Sequence, residues 1–165
     1  MTDTADAPPA AAAADDAVIA RHYPWVRAAA MRRVRDAHLA DDVAQAVFIL
    51  LMEKRPAFPS EAVLAAWLFQ TMRYASAHAL RSQRRRAYHE SRAADEAATI
   101  RAARSDSPSH EWSDIAPLLD QSVAQLRRED RQAVLLRFYQ QKTYRAVGAA
   151  MGVSEEAAKT RRSRG

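Results

Sequence analysis

Thr143-Tyr-Arg-Ala-Val-Gly-Ala-Ala-Met-Gly-Val-Ser-Glu-Glu-Ala-Ala-Lys-Thr-Arg161 reads as two short helices joined by a tight turn. Thr143 carries a hydroxyl that can cap the first helix, and Ala146, Val147 and Ala150 or Met151 fall on its packing face. Gly152 suits the left-handed backbone with which helices end. Val153 plugs the turn and Ser154 caps the second helix. There Ala157, Ala158 and Arg161 share the inward side. Glu155, Glu156, Lys159, Arg162 and Ser163, with Ser154 at the start, lie where a DNA major groove would run. A helical hairpin that binds no DNA fits the same spacing, but the Gly-Val-Ser turn and a basic outward side favour the DNA reading.

The rest of the chain suits such a module. Its 165 residues, 48% hydrophobic, can build one ordinary core or two small ones. Gly is scarce, Ala is abundant, and no alternating pattern is sustained, so helices are favoured over sheets. The formal charge of +5 suits a polyanionic partner without establishing one. The absence of Cys excludes disulfide scaffolds, thiolate zinc sites and cysteine nucleophiles. The opening MTDTADAPPAAAAADD lacks the basic start and apolar run of a secretory signal. With no apolar stretch long enough for a bilayer, the expected location is the cytoplasm.

Residues 1–16 read as a disordered tail. A helix is expected from about Ala17 to Val34. A second follows the Asp41-Asp42 start signal and ends near Lys54, ahead of Pro56 and Pro59. A third starts after Ser60 and runs to about Arg86. The polar stretch from Tyr88 to Trp112 reads as a linker, in part helical. Beyond it, Ile115, Leu118, Leu119, Val123 and Leu126 mark one helix, and Val134, Leu135, Leu136 and Phe138 another. The expected fold is all-α: a three-helix domain over 17–87, a flexible linker over 88–112, and a helix-turn-helix domain over 113–165.

Two faces in the first domain depart from ordinary surface. On the second helix, Val43, Ala44, Val47, Phe48, Leu50 and Leu51 make a core side. The opposite side carries Asp42, Gln45, Ala46, Ile49, Met52 and Glu53, a mixed acidic and apolar strip suited to a partner helix. A slightly apolar solvated face fits equally well. On the third helix, Leu68, Met72, Ala75 and Ala79 form the buried stripe, with Phe69 and Leu80 beside it. The far side gathers Trp67, Gln70, Tyr74, His78, Arg81 and Arg85, extended by Arg84 and Arg86. Cations suit phosphates and flat rings suit unstacked bases. Alternatively, Trp67 packs into the core and the arginines complement a helix end.

In order and spacing, these segments resemble extracytoplasmic-function sigma factors of the sigma-70 family. Ala40-Asp-Asp-Val-Ala-Gln-Ala-Val-Phe-Ile-Leu-Leu51 is similar to region 2.2. Trp67-Leu-Phe-Gln-Thr-Met-Arg-Tyr-Ala75 is similar to regions 2.3 and 2.4, and Leu126-Arg-Arg-Glu-Asp-Arg-Gln-Ala-Val-Leu-Leu-Arg-Phe138 to the opening of region 4. The resemblance covers residues 18–87 and 113–164. It implies that Asp42, Gln45 and Ile49 dock the clamp helices of the largest subunit of RNA polymerase. It implies that the Pro56–Trp67 segment, with Trp67, Gln70, Tyr74, His78, Arg81, Arg84 and Arg85, opens and holds the −10 element. Ser154, Glu155, Glu156, Lys159, Arg162 and Ser163 would read the −35 element, and region 4 would also meet the flap of the second-largest subunit. The implied partners are core RNA polymerase and promoter DNA, with room for an anti-sigma factor. No region 3 domain, cofactor, metal or catalytic residue is implied, and binding to polymerase would associate the chain with the nucleoid.

Tyr74 stands where the family usually has Asn, His78 where it has Asp, Ala46 where it has Glu, and Arg162 at a usually apolar position. The family's last helix runs further, so a truncated and less stable region 4 is expected. A regulator using the helix-turn-helix alone would leave the Asp42–Gln45–Ile49 strip unexplained. A nuclease would need converging carboxylates or histidines. His22, His38, His78, His89 and His110 are scattered without ligand spacing, and no glycine-rich phosphate loop is present.

Overall fold

Pro9 is preorganised for the first position of a helix, and the alanines that follow have the highest helix propensity. In the computed structural model the first helix, α1 (Pro9–Val34), accordingly begins at Pro9, ahead of the Ala17 start expected. The structure describes the backbone of residues 9–54, 56–95 and 110–163, and side chains over 15–54, 56–88 and 118–160. Residues 1–8 of the expected tail lie outside it.

α1 ends in a left-handed residue, Arg35 (φ 56°), whose N–H donates to the Met31 carbonyl at 3.0 Å. The Asp36 carboxylate then accepts from the Leu39 N–H at 2.8 Å, so α2 (Ala37–Lys54) starts at Ala37. The Asp41-Asp42 pair is therefore not the start of the helix; both lie inside it. The Ser60 hydroxyl accepts from the Val63 N–H at 3.3 Å and caps α3 (Glu61–Asp95). α3 continues past Arg86 because the Ala-, Arg- and Glu-rich segment read as linker is made of good helix formers. α4 (His110–Gln125) also begins inside that stretch, and residues 96–109 lie outside the described ones.

The three long helices pack their apolar stripes together, though Leu50, Ala75, Ala79 and Leu80, expected in the core, are only half-buried. Trp25, Val26, Ala29 and Ala30 of α1 meet Val43, Ala44, Val47, Phe48 and Leu51 of α2. Ala65, Leu68, Phe69 and Met72 of α3 complete that core. Each of the larger side chains contributes roughly 1.5–3 kcal/mol through burial.

α5 (Arg128–Val134) runs into a π-helical turn over Leu135–Tyr139, followed by α6 (Tyr144–Met151) and α7 (Glu155–Ser163). The helix-turn-helix is built as its sequence demanded. The Thr143 hydroxyl accepts from the Ala146 N–H at 3.3 Å, and the Ser154 hydroxyl from the Ala157 N–H at 3.2 Å. Gly152 is left-handed at φ 67°, and Val147 and Ala158 are buried.

Two packing expectations are corrected. Leu118 and Leu119 are exposed, while Asp120 beside them is wholly buried. Phe138 is 53% exposed and Tyr139 takes the inward place. A π turn carries an extra residue, which rotates the chain and moves the next side chain onto the packing face. Tyr139 then sets its ring edge-on to Trp25 of α1 and Phe69 of α3, with centroids 6.1 and 5.5 Å away. Lys142 reaches Glu61 at 3.1 Å. The two helical units thus share one core, joined directly between helices.

Gly148 presents a sharp test of the turn. A Cβ there would lie 2.7 Å from the Val153 carbonyl oxygen. Ala normally gains about 1 kcal/mol over Gly inside a helix. Here Gly148→Ala is expected to lose roughly 1–3 kcal/mol through forced displacement, read by urea unfolding. A gain in stability would show that the turn does not close on α6 as described.

Candidate polymerase and nucleic-acid interfaces

The strip on α2 is held in place from beneath. Asp41 accepts from Arg27 of α1 through both carboxylate oxygens, the second at 3.1 Å, and from the Tyr23 hydroxyl at 3.3 Å. Arg27's hydrogen bonds hold the Asp41 carboxyl below the usual carboxylate range. With Asp41 tied to α1 and Val43, Ala44 and Val47 buried, the adjoining positions must face away from the core. Asp42 and Gln45 are exposed, and Ile49 is 55% exposed. Ala46 and Met52 are half-buried, so the open strip is narrower than the helical wheel gave.

On α3 the expected basic and aromatic side divides in two. Its N-terminal part is fixed: Trp67 is half-buried with its ring edge-on to Phe58, centroids 5.8 Å apart. Gln70 is half-buried and accepts from Arg73 at 3.0 Å. The C-terminal part is open: Tyr74 is 75% exposed, and His78, Arg81, Arg84 and Arg85 are exposed. Between α2 and α3 runs a groove of about 550 Å³ lined by Asp42, Ala46, Leu50, Tyr74, His78 and Arg86. It connects the α2 strip to the exposed Tyr74 ring.

α7 presents Ser154, Glu155 and Glu156 to solvent, with Lys159 half-exposed behind them. The Ser154 hydroxyl is occupied by its cap. Lys159 Nζ lies 2.9 Å from Glu156 and 3.3 Å from Glu155. The hydrogen bond to Glu156, then that to Glu155, raises the Lys159 pKa above its ordinary value. The described part of this surface is therefore acidic at the helix start, with its cation clamped, and is not the basic side expected. The side chains of Arg162 and Ser163 lie outside the described residues.

Residues 18–86 match the family described as Sigma-70 region 2, and residues 117–165 that described as Sigma-70, region 4. The RNA polymerase sigma factor CarQ of Myxococcus xanthus is 34% identical over 149 residues, covering 90% of this chain and 82% of that protein. The chain belongs to the sigma-70 family, as a sigma factor of the extracytoplasmic-function type. A solved structure of the sigma factor RpoE in complex with the anti-sigma factor NepR, from Bartonella quintana, is 22% identical. It covers 90% of this chain and 89% of that one, with a TM-score of 0.37.

As a sigma factor the protein binds core RNA polymerase and promoter DNA and directs transcription initiation. α1 to α3 form its region 2 and α4 to α7 its region 4. Among the described residues there is no group of three potential metal ligands, and no helix is long and apolar enough to cross a membrane.

Three important residues escaped the sequence reading: Asp120, Tyr139 and Arg32. The Tyr139 hydroxyl donates to Asp120 at 2.5 Å, and Arg32 of α1 lies 3.4 Å from the same carboxylate oxygen. A signal was present, since Asp120 sits one helical turn before Val123, on the packing side of α4. A charge within an apolar stripe marks a buried pairing.

The clamp on Lys159 yields a prediction. If α7 faces DNA, replacing both Glu155 and Glu156 with Ala removes the two anionic groups that hold Lys159 and frees it for phosphate. Binding of region 4 to unrelated duplex DNA should tighten and grow more salt-dependent, with the slope of log K against log salt steeper by about 1. Unchanged affinity and slope in a fluorescence-anisotropy titration would show that α7 does not face DNA.

Proposed function

We propose that this sigma factor uses the Asp42–Gln45–Ile49 strip to dock core polymerase, and the Tyr74–His78–Arg81–Arg84–Arg85 face to hold the −10 element. The observation that carries this reading is that region 2 exposes both faces beside a buried three-helix core. An exposed isoleucine flanked by acidic and amide groups suits a partner helix. An exposed ring among arginines suits a single strand, because it offers stacking and phosphate neutralisation together. Trp67 and Phe58 act differently: by packing on each other they position the Pro56–Ser60 loop beside the open ring face. Ser154, Glu155, Glu156, Lys159, Arg162 and Ser163 of α7 read the −35 element, where carboxylates can accept from the amino groups of cytosines.

The chain supplies recognition, and the polymerase supplies the chemistry. Its place of action is the cytoplasm, on the nucleoid. A free-standing regulator built on α6 and α7 would leave an exposed, structurally supported strip on α2 without a use.

Asp42→Arg, and Gln45 with Ile49 both changed to Lys, should each weaken binding to core polymerase by at least about tenfold, the loss typical of one interface anchor. Helical content by circular dichroism should stay the same, because none of the three side chains belongs to the core. Full affinity in both variants would place the docking surface elsewhere.

The DNA face gives a second expectation. Arg81→Ala and Arg85→Ala should weaken all promoters alike, each lowering the salt slope by about 1. Tyr74→Ala should impair strand opening, seen as reduced permanganate reactivity of unpaired thymines. Normal opening in Tyr74→Ala would mean that the exposed ring touches no base.

A further inference from the structure

Where α1, α3 and α4 meet, three guanidinium groups share one carboxylate. Asp120 of α4 is wholly buried, and its Oδ1 takes the Tyr139 hydroxyl and Arg32 of α1. Arg33 of α1 and Arg73 of α3 are half-buried beside it. Among the described residues neither Arg33 nor Arg73 forms a salt bridge, and each has a buried Nε without a hydrogen-bond partner. Arg73 gives one N–H to the Gln70 side chain at 3.0 Å, which supplies no charge. Burial lowers the Arg33 pKa; the Asp120 charge opposes that shift and the Arg73 charge adds to it.

Arg33 and Arg73 line a polar cavity of about 330 Å³, completed by Gln121, Ala124 and Gln125 of α4. Gln121 and Gln125 are exposed, so the cavity opens to solvent on that side. Every polar side chain lining it can donate a hydrogen bond, and no carboxylate lines it. Arg32, Arg33 and Arg73 against Asp120 alone leave two positive charges without a counter-charge. Holding like charges together away from bulk water is costly unless an anion joins them. Guanidinium forks match the oxygens of phosphate, and glutamine amides can donate to the oxygens that remain. A phosphate group carries a charge of about −1.5 to −2 at neutral pH, which matches the excess.

We propose that this cavity binds the phosphate group of a small molecule, held by Arg33 and Arg73 with Gln121 and Gln125. The site stands apart from the polymerase and DNA faces proposed above, because none of its four residues belongs to either. Its walls come from three helices. A free phosphate or a phosphate monoester can enter such a space, whereas a duplex backbone brings its sugars and bases with it. Arg33 and Arg73 supply charge and direction, and Asp120 keeps Arg32 turned away toward Tyr139.

Inorganic phosphate is the probe, titrated into the whole chain by isothermal calorimetry with chloride holding the ionic strength constant. One phosphate should bind per chain, and the melting temperature should rise with phosphate but not with chloride. Arg33→Gln and Arg73→Gln should each weaken binding about tenfold or more, the loss expected for one hydrogen bond to a charged group. Lys54→Gln, which removes an exposed cation of α2 outside the cavity, should change nothing. Gln121→Glu serves if the arginine variants do not fold, because Gln121 is exposed. It puts a carboxylate at the cavity, so it should abolish phosphate binding and raise the melting temperature in phosphate-free buffer. Glycerol phosphate and a nucleoside monophosphate, compared with inorganic phosphate, separate a monoester from the free ion, and saturable binding of any one that the cavity variants remove supports the site. No saturable binding of any of the three to the unaltered chain overturns the proposal. Binding that is equally strong in all the cavity variants that fold overturns it too. If none of the three binds while Gln121→Glu weakens binding to duplex DNA, the cavity serves a DNA backbone and the small-molecule assignment falls.

Discussion

The Tyr139 ring is where two helical units become one body. It packs edge-on against Trp25 and Phe69, and its hydroxyl reaches the buried Asp120. Burial, then the hydrogen bond and negative charge of Asp120, push the phenol well above its ordinary pKa, so it remains a donor at any physiological pH. The position of the ring depends in turn on the π turn over Leu135–Tyr139. A regular helix would bring Phe138 nearer the seam and leave no hydroxyl for Asp120. The place of Tyr139 between region 4 and region 2 follows from one extra residue in one turn.

The two regions handle charge in different ways. Region 2 uses a fixed pair, Arg27 with Asp41, to lock α1 to α2, and leaves Arg81, Arg84 and Arg85 exposed in the second half of α3. Region 4 does the reverse on α7, where Glu155 and Glu156 hold Lys159. Acidic groups at a helix N-terminus stabilise the helix through its dipole, but they repel phosphates. On α7 these carboxylates would therefore oppose indiscriminate DNA binding by the proposed −35 face.

The α2–α3 groove relates the two proposed surfaces of region 2. Asp42 stands on the docking strip and also lines the groove that Tyr74 and His78 border on the other side. A partner seated on α2 would come close to a strand held on α3. That proximity would give the proposed polymerase docking and strand capture a common physical boundary within one three-helix domain.

The sequence by itself determined the helices, the stripes they bury and the helix-turn-helix. These are local matters: Thr143, Gly152 and Ser154 act within one turn of their own positions, and the 3.6-residue period fixes which side of α2 holds Val43, Ala44 and Val47. The outward places of Asp42, Gln45, Ile49 and Tyr74 follow from the same period. The ends of α1, α2 and α3 were harder to read, because capping by Asp36 and the helix propensity of alanine outweighed signals that looked stronger in isolation. Only the tertiary structure decided the environment of Asp120, the exchange of Phe138 for Tyr139, the packing of Trp67 on Phe58 and the clamp on Lys159. Each depends on where a side chain from a distant segment, or a rotamer on the same helix, comes to rest. Periodicity gives the direction a residue faces, but it does not give what waits there. Asp120 shows the difference: the apolar spacing pointed to Leu118 and Leu119, and only the approach of Arg32 and Tyr139 made a buried carboxylate tolerable beside them.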